Sequence, residues 1–118
     1  MAVSDNSTLT HLTAEDLLAG AAVTYDVLIP PDVLRPGGEG SNGHDTLVRL
    51  RPLTLGTFLL IMKAAKDDAG LIPLLMIQES LLEPKLSLGQ IGQMHLGLIN
   101  FLIGQIRHIS GLDEKKRS

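Results

Sequence analysis

The chain lacks cysteine and has few aromatic residues, and these two absences exclude several kinds of chemistry. Without cysteine it can form no disulfide and has no thiolate nucleophile. Aromatic residues make up 3% of the sequence, so the core must be aliphatic. Single-stranded nucleic acids stack their bases on aromatic side chains, and this chain offers only Tyr25, Phe58 and Phe101.

The chain also lacks a strong net charge and long apolar runs. Its charge of −3 at pH 7 gives no electrostatic reason to approach a phosphate backbone. The N-terminal residues lack the basic and apolar regions of a signal peptide. The longest apolar run near the C-terminal end is broken by Asn100 and falls well short of the roughly 20 residues that a membrane span needs. We therefore expect a soluble, cytoplasmic protein that binds neither nucleic acid nor membrane.

The length of 118 residues corresponds to a single domain. Residues 1–12 are polar and predict a flexible arm, whereas the charged residues 113–118 predict a solvated tail. The sequence between them, residues 13–112, carries the helix and strand patterns of one α+β domain.

A short helix and two strands are predicted in the first half. Thr13 precedes two acidic residues, an arrangement typical of a helix N-terminus, and Gly20 is expected to end that helix. Residues 23–29 alternate between apolar and polar, which predicts a strand with one buried face. Residues 46–51 predict a second strand that pairs with the first as an antiparallel ribbon. The glycine-rich residues 35–45 between them predict a flexible loop.

Two further helices follow, and they must cover the ribbon because two strands are rarely stable alone. The first begins at the cap Thr54 and extends to about Asp67. Residues at helical spacing predict its core-facing stripe, which comprises Leu55, Phe58, Leu59, Met62 and Ala65. The second, residues 71–82, begins apolar nearly all round, so we expect it to be buried on more than one side.

The third main helix is predicted to run without a break over residues 87–110 and to stop at Gly111. Its start matches a capping box, in which Ser87 and Gln90 satisfy each other's backbone amides. Gly97 and Gly104 share one face of this helix, and each interior glycine costs up to about 1 kcal/mol relative to alanine. Close packing against the chain's own helices and close approach of a partner both remain open as explanations.

Candidate catalytic and metal-binding residues form no convincing set. His95 and His108 fall on different faces of the last helix, and neither has a metal-ligand spacing. Glu79 and Glu83 are one helical turn apart but lack a third ligand. His44, next to an aspartate in the glycine-rich loop, has no nucleophile to activate. We therefore predict that the protein is not an enzyme and that it holds no metal and no cofactor.

Arg49 and Arg51 point the same way from the second strand, and Lys63 and Lys66 follow in the next helix. The favoured interpretation is a solvated strand face that protects the sheet edge from aggregation. The alternative is a docking edge for an acidic partner.

The helices carry more apolar surface than a two-stranded ribbon can cover, and surplus apolar surface on a small protein usually marks an interface. We therefore expect a protein-binding module rather than an enzyme. The residues predicted to contact the partner come from the last two helices and are Leu71, Leu74, Leu75, Met76, Leu98, Phe101 and Leu102.

Four motifs in order resemble the small tail assembly chaperones of bacteriophages and related contractile particles. They are a strand-to-helix step at 48–54, a small helical core, a Leu-Glu-Pro-x-Leu-Ser motif at 82–87 and a closing Ile-Ser-Gly-Leu at 109–112. The segment before the glycine-rich loop is similar too, so the resemblance covers residues 23–112. The first 20 residues and the loop have no counterpart in the family.

The resemblance implies a non-enzymatic protein of the bacterial cytoplasm that coats apolar helices of a tape-measure protein until tube protein displaces it. An amphipathic helix laid in an aliphatic groove is an established recognition mode. The alternative is a minor structural subunit, in a baseplate or cap, that stays in the finished particle. The sequence leaves open the partner, self-association, and the choice between a phage and a phage-derived injection machine.

Overall fold

The computed structural model describes residues 9–37 and 46–112, which form a mixed fold of helices around a three-stranded antiparallel sheet. Most of the predicted arm, most of the glycine-rich loop including His44, and the predicted tail at 113–118 lie outside the described residues. The short N-terminal helix α1 spans Ala14–Leu18 and continues into a 3₁₀ turn at Ala19–Ala22.

The predicted antiparallel pairing of the first two strands is confirmed. Strand β1 spans Tyr25–Ile29 and strand β2 spans Thr46–Leu50, and they pair antiparallel with Val27 opposite Val48. Only Val27 and Ile29 of β1 are buried. Leu28 of β1 and Leu47 of β2 face each other on the exposed side of the sheet.

The sheet has a third strand that the sequence did not predict. Helix α4 spans Leu71–Ser80 rather than residues 71–82, and the chain continues directly as strand β3, Leu81–Glu83, which pairs with β2. Ser80 fixes this change, since its hydroxyl donates to the Arg51 carbonyl at 2.6 Å and its carbonyl accepts from the Arg51 amide at 2.9 Å. Pro84 then disfavours helical geometry at the residue before it. The expected two-stranded ribbon is therefore wrong in strand number.

Helix α2, Pro31–Leu34, was also missed. Strand β1 ends before the two adjacent prolines Pro30 and Pro31, and Pro31 occupies the first turn of α2, where the missing amide costs nothing. Helix α3 spans Leu55–Ala65 and is capped as predicted by Thr54, whose hydroxyl accepts from the Thr57 amide at 3.2 Å.

The last helix is not continuous, which corrects the prediction over residues 87–110. The capping box of Ser87 and Gln90 is confirmed, but it opens only the short helix α5, Leu88–Ile91. Helix α6 begins separately and spans Leu96–Ile109. The chain ends α6 at Gly111, as predicted, with a φ of 81° that favours glycine.

His95 separates the two helices because its side chain caps the second one. Its Nδ1 accepts from the Leu98 amide at 3.3 Å, and its Nε2 donates to the Val33 carbonyl at 2.9 Å. This histidine therefore joins the start of α6 to the end of α2. Its backbone is extended at this point, which breaks the helix that the apolar pattern indicated.

The core lies between the sheet and helices α4, α5 and α6. Helix α4 contacts α3, α5 and α6, in agreement with its nearly uniform apolar sequence. The side chains that are almost fully buried come from the sheet and these helices and are Leu50, Ile77, Leu81, Ile91, Leu102 and Ile106.

Candidate protein-binding surface

The seven residues predicted to bind a partner lie mainly in or against the core. Met76 is 7% exposed and Leu102 is 2% exposed, so a partner could reach them only if the core opened. Four others, Leu74, Leu75, Leu98 and Phe101, are half-buried and pack against the core, and Leu71 is half-buried at the start of α4. These residues first of all hold the fold together, and partner binding by them stays a prediction.

Helix α3 exposes much of its apolar surface, and its orientation corrects the predicted core stripe. Only Ile61 and Ala65 of this helix are buried. Leu55, Leu59, Leu60 and Met62 are exposed by 72%, 57%, 67% and 42%, and they are called the α3 face below.

The spacing of the buried residues explains this orientation. Phe58, Ile61 and Ala65 recur at three and four residues and so form the stripe that faces the rest of the protein. Leu55 and Leu59 belong to a neighbouring stripe that points outward. The sequence did contain a sign of this orientation, because the apolar residues of α3 cover a wider arc of the helix than one core-facing stripe. Adjacent Leu60 and Ile61 cannot both face the core of a surface helix.

A shallow cleft of about 280 Å³ adjoins the start of the α3 face. It lies between the beginning of α3 and the end of α6, and its lining includes Leu53, Leu55, Phe58 and Leu112. A hydrogen bond of 2.9 Å from the Leu53 amide to the Ser110 hydroxyl joins the two sides of the cleft. The cleft therefore has fixed walls, and its floor is mainly apolar.

A second hollow of about 440 Å³ shares Leu53 and Ser110 with this cleft and extends it to α1. Leu17 and Leu18 of α1 line the hollow, yet both remain about 70% exposed. The α3 face, the cleft and α1 thus form one continuous apolar region on the side of the molecule where α6 ends.

Helix α1 is held by a capping box at its N-terminal end rather than by packing. The Thr13 hydroxyl accepts from the Asp16 amide at 3.1 Å, and the Asp16 carboxylate accepts from the Thr13 amide at 2.9 Å. The hydrogen bond from the Thr13 amide to the carboxylate, followed by the interaction of the Thr13 side chain with it, holds the pKa of Asp16 below its ordinary value of 3.8. No residue of α1 is buried.

Arg49 and Arg51, the two arginines that were candidates for binding an acidic partner, both form ion pairs within the chain. Arg49 Nε lies 2.9 Å from Asp26, and its guanidinium also lies 3.9 Å from Glu83. The hydrogen bond and negative charge of Asp26, followed by the charge of Glu83, raise the pKa of Arg49. Arg51 lies 3.7 Å from the Glu79 carboxylate and donates to the carbonyl of the same residue at 2.9 Å. These arginines therefore tie the strands and α4 together.

One interpretation of Gly97 and Gly104 required close packing against the chain's own helices, and the described residues do not show such packing. Gly104 is exposed, and a Cβ atom added there would meet nothing within 4 Å. At Gly97 an added Cβ would meet only the His95 ring, at 3.3 Å. Approach of a partner along this side of α6 stays a prediction.

Neither a metal site nor a membrane-spanning element is found in the described part of the chain. Within residues 9–37 and 46–112, histidine, aspartate and glutamate nowhere gather in groups of three that could hold a metal ion. None of the helices in these two ranges has the length and apolar character needed to cross a bilayer.

The surface formed by the α3 face and the adjoining cleft is thus mainly apolar. Comparison with known proteins finds no family model, no curated protein and no solved structure that matches the chain. The apolar surface around α3 and the sequence motifs of the chain are therefore the observations that bear on its function.

Proposed function

We propose that this protein is a non-enzymatic assembly chaperone that binds apolar helical segments of a client protein. The observation that carries the proposal is the α3 face, where three leucines of one helix are each more than half exposed. A well-folded domain gains nothing from such a face unless another surface covers it. The family resemblance indicates the client class, namely the tape-measure protein of a phage tail or an injection particle.

The shape of the region suits an amphipathic helix. The α3 face and the adjoining cleft together form an apolar strip bordered by α1 on one side and the end of α6 on the other. A client helix would lay its apolar stripe along this strip, as in other helix-in-groove complexes. Each leucine that becomes fully covered contributes on the order of 1.5–3 kcal/mol, so a few of them suffice for reversible binding. Reversibility matters because the proposed chaperone must later release the client.

The first test is co-expression with a phage tape-measure protein as the candidate client, followed by measurement of client solubility and of affinity. The double variant Leu59→Asp with Leu60→Asp places two charges on the α3 face without touching a buried residue. We expect it to weaken client binding by at least about tenfold, which corresponds to about 1.4 kcal/mol.

Leu96→Asp is the matched control for this test. Leu96 is 80% exposed, but it begins α6, whereas the α3 face adjoins the end of that helix about 20 Å away. An aspartate in the first turn is also favoured by the helix dipole. Equal loss of binding in the control and the double variant would contradict the proposed surface, as would full binding by the double variant.

The second test separates a chaperone from a structural subunit. Purified finished particles are analysed for this protein by mass spectrometry, with tube protein as the internal standard. A chaperone is displaced during assembly, so we expect it to be absent. Its presence at a fixed ratio to tube protein would make the chain a baseplate or cap component instead.

A further inference from the structure

A second apolar surface of the chain is as uncovered as the α3 face. Residues 9–24, called the N-terminal segment below, are all exposed. Four of them are leucines with more than half of their surface in solvent, and these are Leu9, Leu12, Leu17 and Leu18. The segment therefore gains almost nothing from the core of its own chain.

The helix in this segment is also too short to be stable alone. Helix α1 has five residues, whereas isolated helices below about 12–15 residues are marginal in water. Its capping box fixes where the helix begins, but its leucines stay exposed among the described residues. A segment with a defined helix start and exposed leucines is suited to packing against another apolar surface.

The N-terminal segment and the α3 face are complementary in charge as well as in apolar character. The segment contains Glu15 and Asp16 and no lysine or arginine. Helix α3 carries Lys63 and no acidic residue, and Lys66 follows at its end, where two aspartates come next in the chain. None of the four named side chains takes part in an ion pair among the described residues. The charge pattern thus identifies the segment as a fitting occupant of the α3 face.

The segment cannot easily cover the α3 face of its own chain. Only Val23 and Thr24 connect the 3₁₀ turn to β1, and two residues span at most about 7 Å. This short connection holds α1 beside residues 52–54, at the start of α3. Lys63 lies eight residues farther along α3 than Leu55, which is about 12 Å. In this arrangement the leucines of both surfaces stay exposed.

We propose that the N-terminal segment of one copy of this chain packs on the α3 face of a second copy. The leucines of the segment cover the leucines of α3, and Glu15 and Asp16 lie toward Lys63 and Lys66. Reciprocal exchange of the two segments closes a two-fold dimer and leaves no open end for further growth.

This inference does not depend on the identity of the client, although the segment and the client would occupy the same α3 face. The two proposals fail separately. Leu18→Asp alters only the segment, so it is expected to abolish self-association and to leave the α3 face free for the client. Leu59→Asp alters the shared face and is expected to weaken both interactions.

The test is sedimentation of the full chain over a series of concentrations, with the two single variants run in parallel. We expect the wild type to shift from monomer to dimer as concentration rises, and both variants to remain monomeric at the concentrations where the wild type is dimeric. A wild type that is monomeric throughout would overturn the proposal. A dimer that survives in either variant would overturn it too, because another interface would then be responsible.

Mixing the two variants distinguishes exchange between copies from packing within one copy. The Leu59→Asp chain has an intact segment and the Leu18→Asp chain has an intact α3 face, so their mixture restores one of the two contacts. We expect the mixture to associate more strongly than either variant alone. No gain on mixing would overturn the proposal.

A charge exchange tests the orientation. Glu15→Lys places like charges together, so it should weaken the dimer severalfold, and Glu15→Lys combined with Lys63→Glu should restore it. Failure of the second change to restore association would overturn the proposed placement of Glu15 against Lys63.

Discussion

Two regions of the molecule use apolar residues in opposite ways. Around α4 and α6 the aliphatic side chains are turned inward, and Leu50, Ile77 and Ile106 have no exposed surface. On α1 and α3 the leucines are turned outward, although α3 is no less apolar in sequence than α4 and α6. The difference shows that apolar content alone did not decide which helices build the core. The central position of α4, in contact with three helices, gives the first region enough surface to bury itself.

Substitution in the first region is expected to have the largest effect on stability. Ile106→Ala removes a fully buried side chain from α6 and leaves a cavity, so the free energy of unfolding should fall by about 2–5 kcal/mol. Denaturant unfolding measures this change. Leu60→Ala on the α3 face is the control, with an expected change within about 0.5 kcal/mol. Similar losses at the two positions would remove the distinction between the regions.

The next largest effect is expected where α4 becomes β3. Ser80→Ala removes the hydroxyl that donates to the Arg51 carbonyl and leaves that buried junction without its donor. We expect a loss of about 1–3 kcal/mol in the same unfolding experiment. The backbone hydrogen bond between the two residues should remain, so the amide of Arg51 should stay protected from hydrogen exchange. An unchanged unfolding free energy would show that the junction does not depend on this side chain.

His95 is expected to matter less, because it caps one helix end at the edge of the core. His95→Ala removes the acceptor for the Leu98 amide and the donor to the Val33 carbonyl. The expected loss is about 0.5–2 kcal/mol. His95→Asn keeps a capping oxygen but not the reach to α2, so it should recover only part of the stability. Full recovery by asparagine would mean that the link to α2 adds nothing.

Substitution in the second region should leave stability unchanged. Leu18→Asp alters a residue that is 69% exposed, and the unfolding free energy of the monomer should change by less than about 0.5 kcal/mol. The measurement is made at a concentration where the chain is monomeric. A loss comparable to that of Ile106→Ala would show that α1 is part of the core after all.

The smallest expected effect concerns the titration of Asp16. Because hydrogen bonds from Thr13 stabilise its charged form, the carboxylate should titrate below 3.8 in an NMR pH series. A folded-state pKa that is lowered stabilises the helix above the unfolded value, and this contribution is lost as the pH falls through the folded value. Thr13→Ala should move the midpoint upward. A midpoint at or above 3.8 in the wild type would show that the capping box is not formed in solution.

The sequence determined the elements whose signals are local. Three such elements are the helix cap at Thr54, the capping box of Ser87 with Gln90, and the helix stop at Gly111. Each depends on backbone groups within a few residues, so the sequence pattern predicts it without knowledge of the fold. The pairing of the two predicted strands could also be predicted, because the alternation of apolar and polar residues indicates which side chains face inward.

Tertiary structure decided the features that depend on contacts between distant residues. The change from helix to strand at Ser80 needs Arg51, and the break before α6 needs a carbonyl of α2 for His95. The same holds for the direction of α3. Its sequence is apolar over a broad arc, and packing against α4 determined that Ile61 and Ala65 face inward while the leucines face outward.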